Sequence, residues 1–195
     1  MPIVISLGNH KLGRRIPNIS LPPIITCRDN APCTKDCYAV KAAHRYPNAR
    51  KAWQNNLEVY QASPEQFFTE VSDFLLKKKP ERFRWHVAGD IPDTHYAQGM
   101  LEVARNHSNV KFLCFTKNYR MLSLIQPAIP ENLAMIASVW PGLAVPAAMM
   151  NVPKAYLTCD RRLPKEYYKC VGSCVDCAVC WELAQLGCNV AFDKH

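Results

Sequence analysis

The sequence predicts an α/β fold: a partial, open barrel of about six mostly parallel strands with flanking helices, plus a Cys-rich C-terminal loop. Three observations predict it. Segments of helical periodicity alternate with short β-branched and aromatic runs, the pattern of a mostly parallel sheet. Each apolar run ends in polar residues or cysteine, as strands do where sites form at their C-terminal ends. The 195 residues suffice for one sizeable core but carry too few strands for a complete (β/α)8 barrel. A single domain spanning 1–195 is expected, with two cysteine-rich segments at 27–37 and 159–180.

Each element has a local reason. The run at 24–26 (Ile-Ile-Thr) is β-branched and reads as an early strand ending at Cys27. A helix is expected at 47–61. The next opens at Ser63-Pro64-Glu65-Gln66, a capping box with Pro at the first helical position. Phe67, Phe68, Val71, Phe74 and Leu75 then recur at helical spacing, and Lys77, Lys78 and Lys79 suit the negative end of the helix dipole. A strand at 83–88 runs into Gly89-Asp90. A helix follows Asp93 through Tyr96, Met100, Leu101 and Val103. A strand at 110–115 ends at Thr116-Lys117, and a short helix covers 119–125 before Pro127. Strands at 134–139, 155–158 and 189–192 end at Trp140, Cys159-Asp160 and Asp193-Lys194-His195.

Composition excludes several classes. With 49% hydrophobic and 21% charged residues the chain is not intrinsically disordered, and 7 Gly exclude a collagen-like repeat. No run approaches the ~20 apolar residues that span a bilayer. The N-terminus MPIVISLGNHKLGRR places its apolar run before its basic residues, the wrong order for a secretory signal. A soluble, cytoplasmic monomer with no membrane association is expected.

Ten cysteines are bunched rather than spread. In a cytosolic chain, bunching points to metal binding or catalysis more than to disulfides. The segment KCVGSCVDCAVCW holds Cys170, Cys174, Cys177 and Cys180 at C-x3-C-x2-C-x2-C, a density typical of cluster-binding thiolates, whereas zinc sites more often use two separated knuckles. Cys159 and Cys170 compete to complete this group, with Cys159 slightly preferred. The segment TCRDNAPCTKDCYAVK holds Cys27, Cys33 and Cys37 with no evident fourth ligand; a three-thiolate cluster would leave one iron open, while a structural knuckle completed from elsewhere is the alternative. Cys114, between Leu113 and Phe115, reads as a core residue. His95 lies near Asp90 and could act as acid, base or ligand, and His195 is placed on the same rim, though most histidines in such settings are structural.

The net charge of +8 is uneven: residues 1–62 carry nine Lys and Arg against three Asp and Glu, whereas residues 63–195 carry 15 against 13. The basic third, with Lys11, Arg14, Arg15, Lys41, Arg45, Arg50 and Lys51, suits phosphates of nucleic acid or of a nucleotide, or is a solvated basic face. No nucleic-acid-binding motif, P-loop or dinucleotide fingerprint is present.

Taken together, GNHKLGRRIPNISLPP, the cysteine loop ending in CYAVK, FRWHVAGDIPDTHY, FTKNYR, CVDCAVCW and the terminal VAFDKH resemble the phage "gene product 88" family over nearly the whole chain. That family is distantly similar to radical S-adenosylmethionine proteins. The resemblance implies a partial α/β barrel in which Cys27, Cys33 and Cys37 bind one iron–sulfur cluster and Cys159, Cys174, Cys177 and Cys180 a second, both of 4Fe-4S type. It places at Gly89-Asp90 the short acidic motif with which radical enzymes hold the amino group of S-adenosylmethionine, and Thr116 and Lys117, at the next strand end, complete the expected cofactor-binding rim. The expected function is therefore an iron–sulfur protein, either a radical S-adenosylmethionine-type enzyme on an unknown substrate or a non-catalytic iron–sulfur or zinc protein with a structural, redox-sensing or nucleic-acid role. Its place would be the host cytoplasm.

Overall fold

The computed structural model describes residues 1–27 and 31–193. Its centre is a seven-stranded, open, all-parallel sheet: β1 (Asn18–Ile19), β2 (Arg82–Trp85), β3 (Lys111–Thr116), β4 (Leu133–Ser138), β5 (Lys154–Leu157), β6 (Tyr168–Lys169) and β7 (Val190–Phe192). The spatial order is β1-β2-β3-β4-β5-β7-β6, and every neighbouring pair is parallel. From β1 to β5 the chain advances one strand at a time in one direction. Right-handed crossovers then put the connecting helices on one face, as in a barrel rather than a doubly wound sheet.

Those helices are α1 (Tyr38–Arg45), α2 (Pro47–Ala62), α3 (Pro64–Lys78), α4 (Thr94–Asn106) and α5 (Tyr119–Ile125). Ser63 caps α3 by accepting the Gln66 amide at 3.2 Å, as expected, but the Gln66 side chain bonds Glu70 instead of closing the box. Asp93 caps α4, accepting the Tyr96 amide at 2.8 Å and the Tyr60 hydroxyl at 2.6 Å, so one carboxylate joins α2 to α4. A Cβ on Gly99 would lie 2.1 Å from the Phe68 ring; only glycine lets α4 approach α3 this closely. The larger core fills the space between helices and sheet, with Phe83, Trp85, Phe112 and Cys114 pointing into it from β2 and β3.

Strand alternation sends Leu113, Ala134, Ile136, Ala155 and Val190 to the opposite face, where a second cluster forms with Leu12, Ile16, Trp181 and Leu183. This face is concave. Phe115 of β3 and Phe192 of β7 have ring centroids 5.8 Å apart, although β4 and β5 lie between them. A flat sheet would separate those strands by about 14 Å. The N-terminal segment and the cysteine-rich C-terminal segment fill the hollow.

The sequence expectation fails at three places. Residues 24–26 form no strand: they lie in a turn after Pro22-Pro23, with Ile24 at φ 72° and Ile25 68% exposed. The first strand is β1, recruited by the amides of Arg84 and His86, which donate to Pro17 and Ile19 carbonyls. Neither α1 nor β6 was expected; β6 is two residues paired only to β7. Among the described residues no helix is long and apolar enough to cross a membrane.

Candidate functional site

The first cysteine segment starts from a braced turn. The Thr26 hydroxyl donates to the Pro22 carbonyl at 2.8 Å, and the Cys27 amide to the Ile24 carbonyl at 3.2 Å. A 3-10 helix (Pro32–Asp36) carries Cys33, and Cys37 is the residue before α1. All three thiols are partly buried. Burial pushes Cys27 up to about 11, with Asp90, Cys33 and Cys37 adding to the rise. Burial also raises Cys33, opposed by the nearby Lys117 ammonium. The fold therefore gathers Cys27, Cys33 and Cys37 beside Asp90 and Lys117.

Asp90 ties this rim together. It is buried, and its carboxylate accepts the Thr116 hydroxyl at 2.6 Å, the Ile91 amide at 2.8 Å and the Lys117 amide at 2.9 Å. Its own amide donates to the Thr26 hydroxyl at 3.2 Å. Gly89 has φ +79°, and a Cβ there would meet the Thr26 hydroxyl at 2.6 Å and the Leu21 carbonyl oxygen at 2.7 Å. Gly89, Asp90, Thr116 and Lys117 thus come together as expected. The carboxylate is engaged by the protein's own donors, so its evident work is to lock the ends of β2 and β3 against the turn that carries Cys27. His95 is on α4, and Lys194 and His195 lie outside the described residues.

The second cysteine segment lies in the hollow of the sheet. The Cys170 amide extends β6 by donating to Ala191. Cys174 and Cys177 bound a one-turn helix, α6 (Cys174–Cys177), and Cys180 follows in a 3-10 turn (Val179–Trp181). Trp181 anchors the segment: it is buried, and its indole N–H donates to the Phe83 carbonyl at 3.4 Å. The Cys174 amide donates to the Lys11 carbonyl at 2.9 Å, and Val175 packs so close to Gly13 that a Cβ there would lie 2.4 Å away. The Cys177 thiol donates to the Tyr168 hydroxyl at 3.2 Å.

Cys180 is pushed up to about 12 by burial, reinforced by Cys170, Cys174 and Cys177. Burial likewise raises Cys174, while Arg84 and Lys11 pull it down. These four thiols form the second group. Cys159, which sequence reasoning slightly preferred, follows β5 with an exposed side chain, whereas Cys170 is among the groups that raise Cys174 and Cys180. Cys114 is buried in the core as expected, against His86.

All ten cysteines are free thiols. Among the described residues no three His, Cys, Asp or Glu side chains converge tightly enough to draw a coordination sphere. What fits an iron–sulfur cluster or zinc is the donor set: soft sulfur ligands bunched at two points, three on the rim and four in the hollow.

Sequence reasoning missed Arg84, and it placed Lys11 in a basic face rather than beside the second thiol group. Arg84 and Lys11 both act on Cys174 from the concave face. The signal was present for Arg84, since a charged residue between Phe83 and Trp85 in a strand must face the opposite side from them.

No curated protein and no solved structure matches the chain. The matching family model covers the first cysteine group and the Asp90 rim, and stops before the second group. Residues 4–141 match the family described as gene product 88, and the chain belongs to that family.

Proposed function

We propose that this protein is an iron–sulfur protein with two cluster sites, one held by Cys27, Cys33 and Cys37 and one by Cys170, Cys174, Cys177 and Cys180. The observation that carries the reading is the gathering of seven reduced thiols into two groups at one end and one face of the sheet. Distant disulfide-forming cysteines would have no reason to bunch in this way. In this reading the protein works in the reducing cytoplasm of a host cell.

The chain's own residues then have definite tasks. Asp90, Thr116 and the Lys117 amide hold the Cys27 turn in place. Trp181 and the Cys174–Lys11 backbone bond hold the second group against the sheet and keep water from its inner side. When bound, a cluster supplies one-electron chemistry, and at the three-thiolate site an iron open to a further ligand. S-adenosylmethionine is the ligand that the radical-enzyme reading places there. A non-catalytic structural or redox-sensing role uses the same thiols without it.

Iron and acid-labile sulfide per chain, measured on protein purified without oxygen, test the proposal. About eight irons with matching sulfide support two cubane clusters. Zinc without sulfide overturns the iron reading. Cleavage of S-adenosylmethionine under reducing conditions then separates the enzyme from the binding protein.

A second reading concerns nucleic acid, and one surface favours it. Lys35, Lys41, His44, Arg45, Arg50 and Lys51 are all exposed around α1 and the start of α2. Tyr46 is 54% exposed, with the Arg45 guanidinium 5.6 Å from its ring centre. Exposed cations beside an exposed aromatic suit a single strand, whose phosphates pair and whose bases stack. Fluorescence anisotropy with a labelled single-stranded oligonucleotide checks this; binding that is insensitive to salt would sink it.

A further inference from the structure

Arg84 stands out among the charged residues. Its neighbours Phe83 and Trp85 are buried in the helix-side core, so its side chain crosses to the concave face. There the guanidinium lies 5.0 Å from the Phe115 ring centre. Phe115 meets Phe192 edge-on at 5.8 Å, and the Lys11 ammonium lies 5.3 Å from the Phe192 ring centre. Two cations thus stand on two touching aromatic rings that come from opposite sides of the curved sheet.

Neither cation is satisfied. Among the described residues neither Arg84 nor Lys11 has a carboxylate partner or a side-chain hydrogen bond, whereas Arg82, Lys111, Arg162 and Lys169 are all ion-paired. The Arg84 Nε, like that of Arg82, is sealed from solvent with no acceptor, but Arg82 has Glu81 to pair with and Arg84 has no carboxylate. Buried polar groups are nearly always hydrogen-bonded, and an orphaned one signals an absent partner. Arg84 also acts on Tyr38, beside the first thiol group, and on Cys174 and Cys180 of the second. Arg84 therefore lies within electrostatic reach of both groups, and Lys11 of the second.

We propose that Arg84 and Lys11 form a clamp for a compact dianion, a phosphate or dicarboxylate group of a small molecule that binds against Phe115 and Phe192 on the concave face of the sheet. The guanidinium offers a planar fork of N–H donors that matches such oxygens, and the ammonium supplies the second charge. The aromatic floor excludes water from beneath both, which strengthens the attraction. The proposal does not depend on iron, since both cations are placed by β2 and by the N-terminal segment.

The test follows the Arg84 Nε–Hε resonance in 15N-labelled protein purified without oxygen, assigned by its absence from R84K. The protein is titrated at constant ionic strength with inorganic phosphate and, separately, with succinate. A saturable shift with at least one of them is expected, and the effective anion tells a phosphate site from a dicarboxylate site. K11M should weaken the midpoint roughly tenfold to a hundredfold, the worth of a hydrogen bond to a charged group. K78M, on the exposed surface near the end of α3, should leave it unchanged. No response to either anion overturns the proposal, as does a loss in K78M equal to that in K11M. A resonance that responds only to removal of bound metal also overturns it, and assigns the cations to the thiolate site while leaving the iron–sulfur reading intact.

Discussion

The His86 imidazole provides the sharpest test of the core. It follows β2 with φ 59°, is 3% exposed, and sits 3.0 Å from the Tyr96 hydroxyl and 3.9 Å from the Cys114 sulfur. Burial, with a smaller push from Arg84, drives it down to about 3 from an ordinary value of 6.5. The folded protein therefore holds His86 neutral at a pH where the unfolded chain binds a proton. That depressed value contributes stability above pH 6.5, which is lost as pH falls from 6.5 toward 3. Each pH unit in this window costs between about 1 and 2 kcal/mol, so the loss is about 3 kcal/mol at pH 4.5 and about 4–5 kcal/mol at pH 3.

His86→Gln removes the titration and keeps a side chain that can bond Tyr96. Urea unfolding of both proteins at pH 7 and pH 4.5 reads the effect. Other titrating groups are common to the two and cancel in the difference. The wild type should lose about 3 kcal/mol more than the variant over that interval. Equal losses would refute a buried neutral imidazole, and with it the packing of Tyr96, His86 and Cys114.

Three further outcomes are expected. Gly89→Ala should cost about 2 kcal/mol or more in urea unfolding, because φ +79° disfavours any Cβ and the Thr26 hydroxyl and the Leu21 backbone stand in its way; iron content should fall as the Cys27 turn shifts. Trp181→Ala should cost about 3–5 kcal/mol and release the C-terminal segment to limited proteolysis; an unchanged cleavage pattern would show that Trp181 is not its anchor. Cys170→Ser should lower metal per chain, while Cys159→Ser should not; the reverse would return Cys159 to the second group.

Much of the scaffold was legible because its signals are local. The Ser63 and Asp93 caps, the apolar period of α3 and the apolar runs that become β2 to β5 each act within a few residues. The strand expected at 24–26 shows the limit of such reasoning. Isoleucines there had the right propensity, but strand formation needs a partner, and the free strand edge is filled by Asn18 and Ile19. β6 was invisible for the same reason, since two residues carry no period.

At the site, bunching of thiols in the chain announced both groups, because short spacings keep cysteines together whatever the fold. Which thiol completes the second group was another matter. Cys170 and Cys159 are both near in sequence; the pairing of β6 with β7 carries Cys170 along β6, while Cys159 is exposed in the turn after β5. The use of Asp90 as a lock on the rim followed from register, which sets the end of β2 beside Thr116 and Lys117.

By itself the sequence determined the fold class, the main helices and the two places where sulfur is concentrated, because these rest on local period and covalent spacing. Tertiary structure decided what shares the hollow of the sheet. Arg84 and Lys11 are far apart in the chain, as are Phe115 and Phe192. They meet only because one-directional crossovers curl the sheet, and curvature arises from the packing of the whole layer rather than from any single segment.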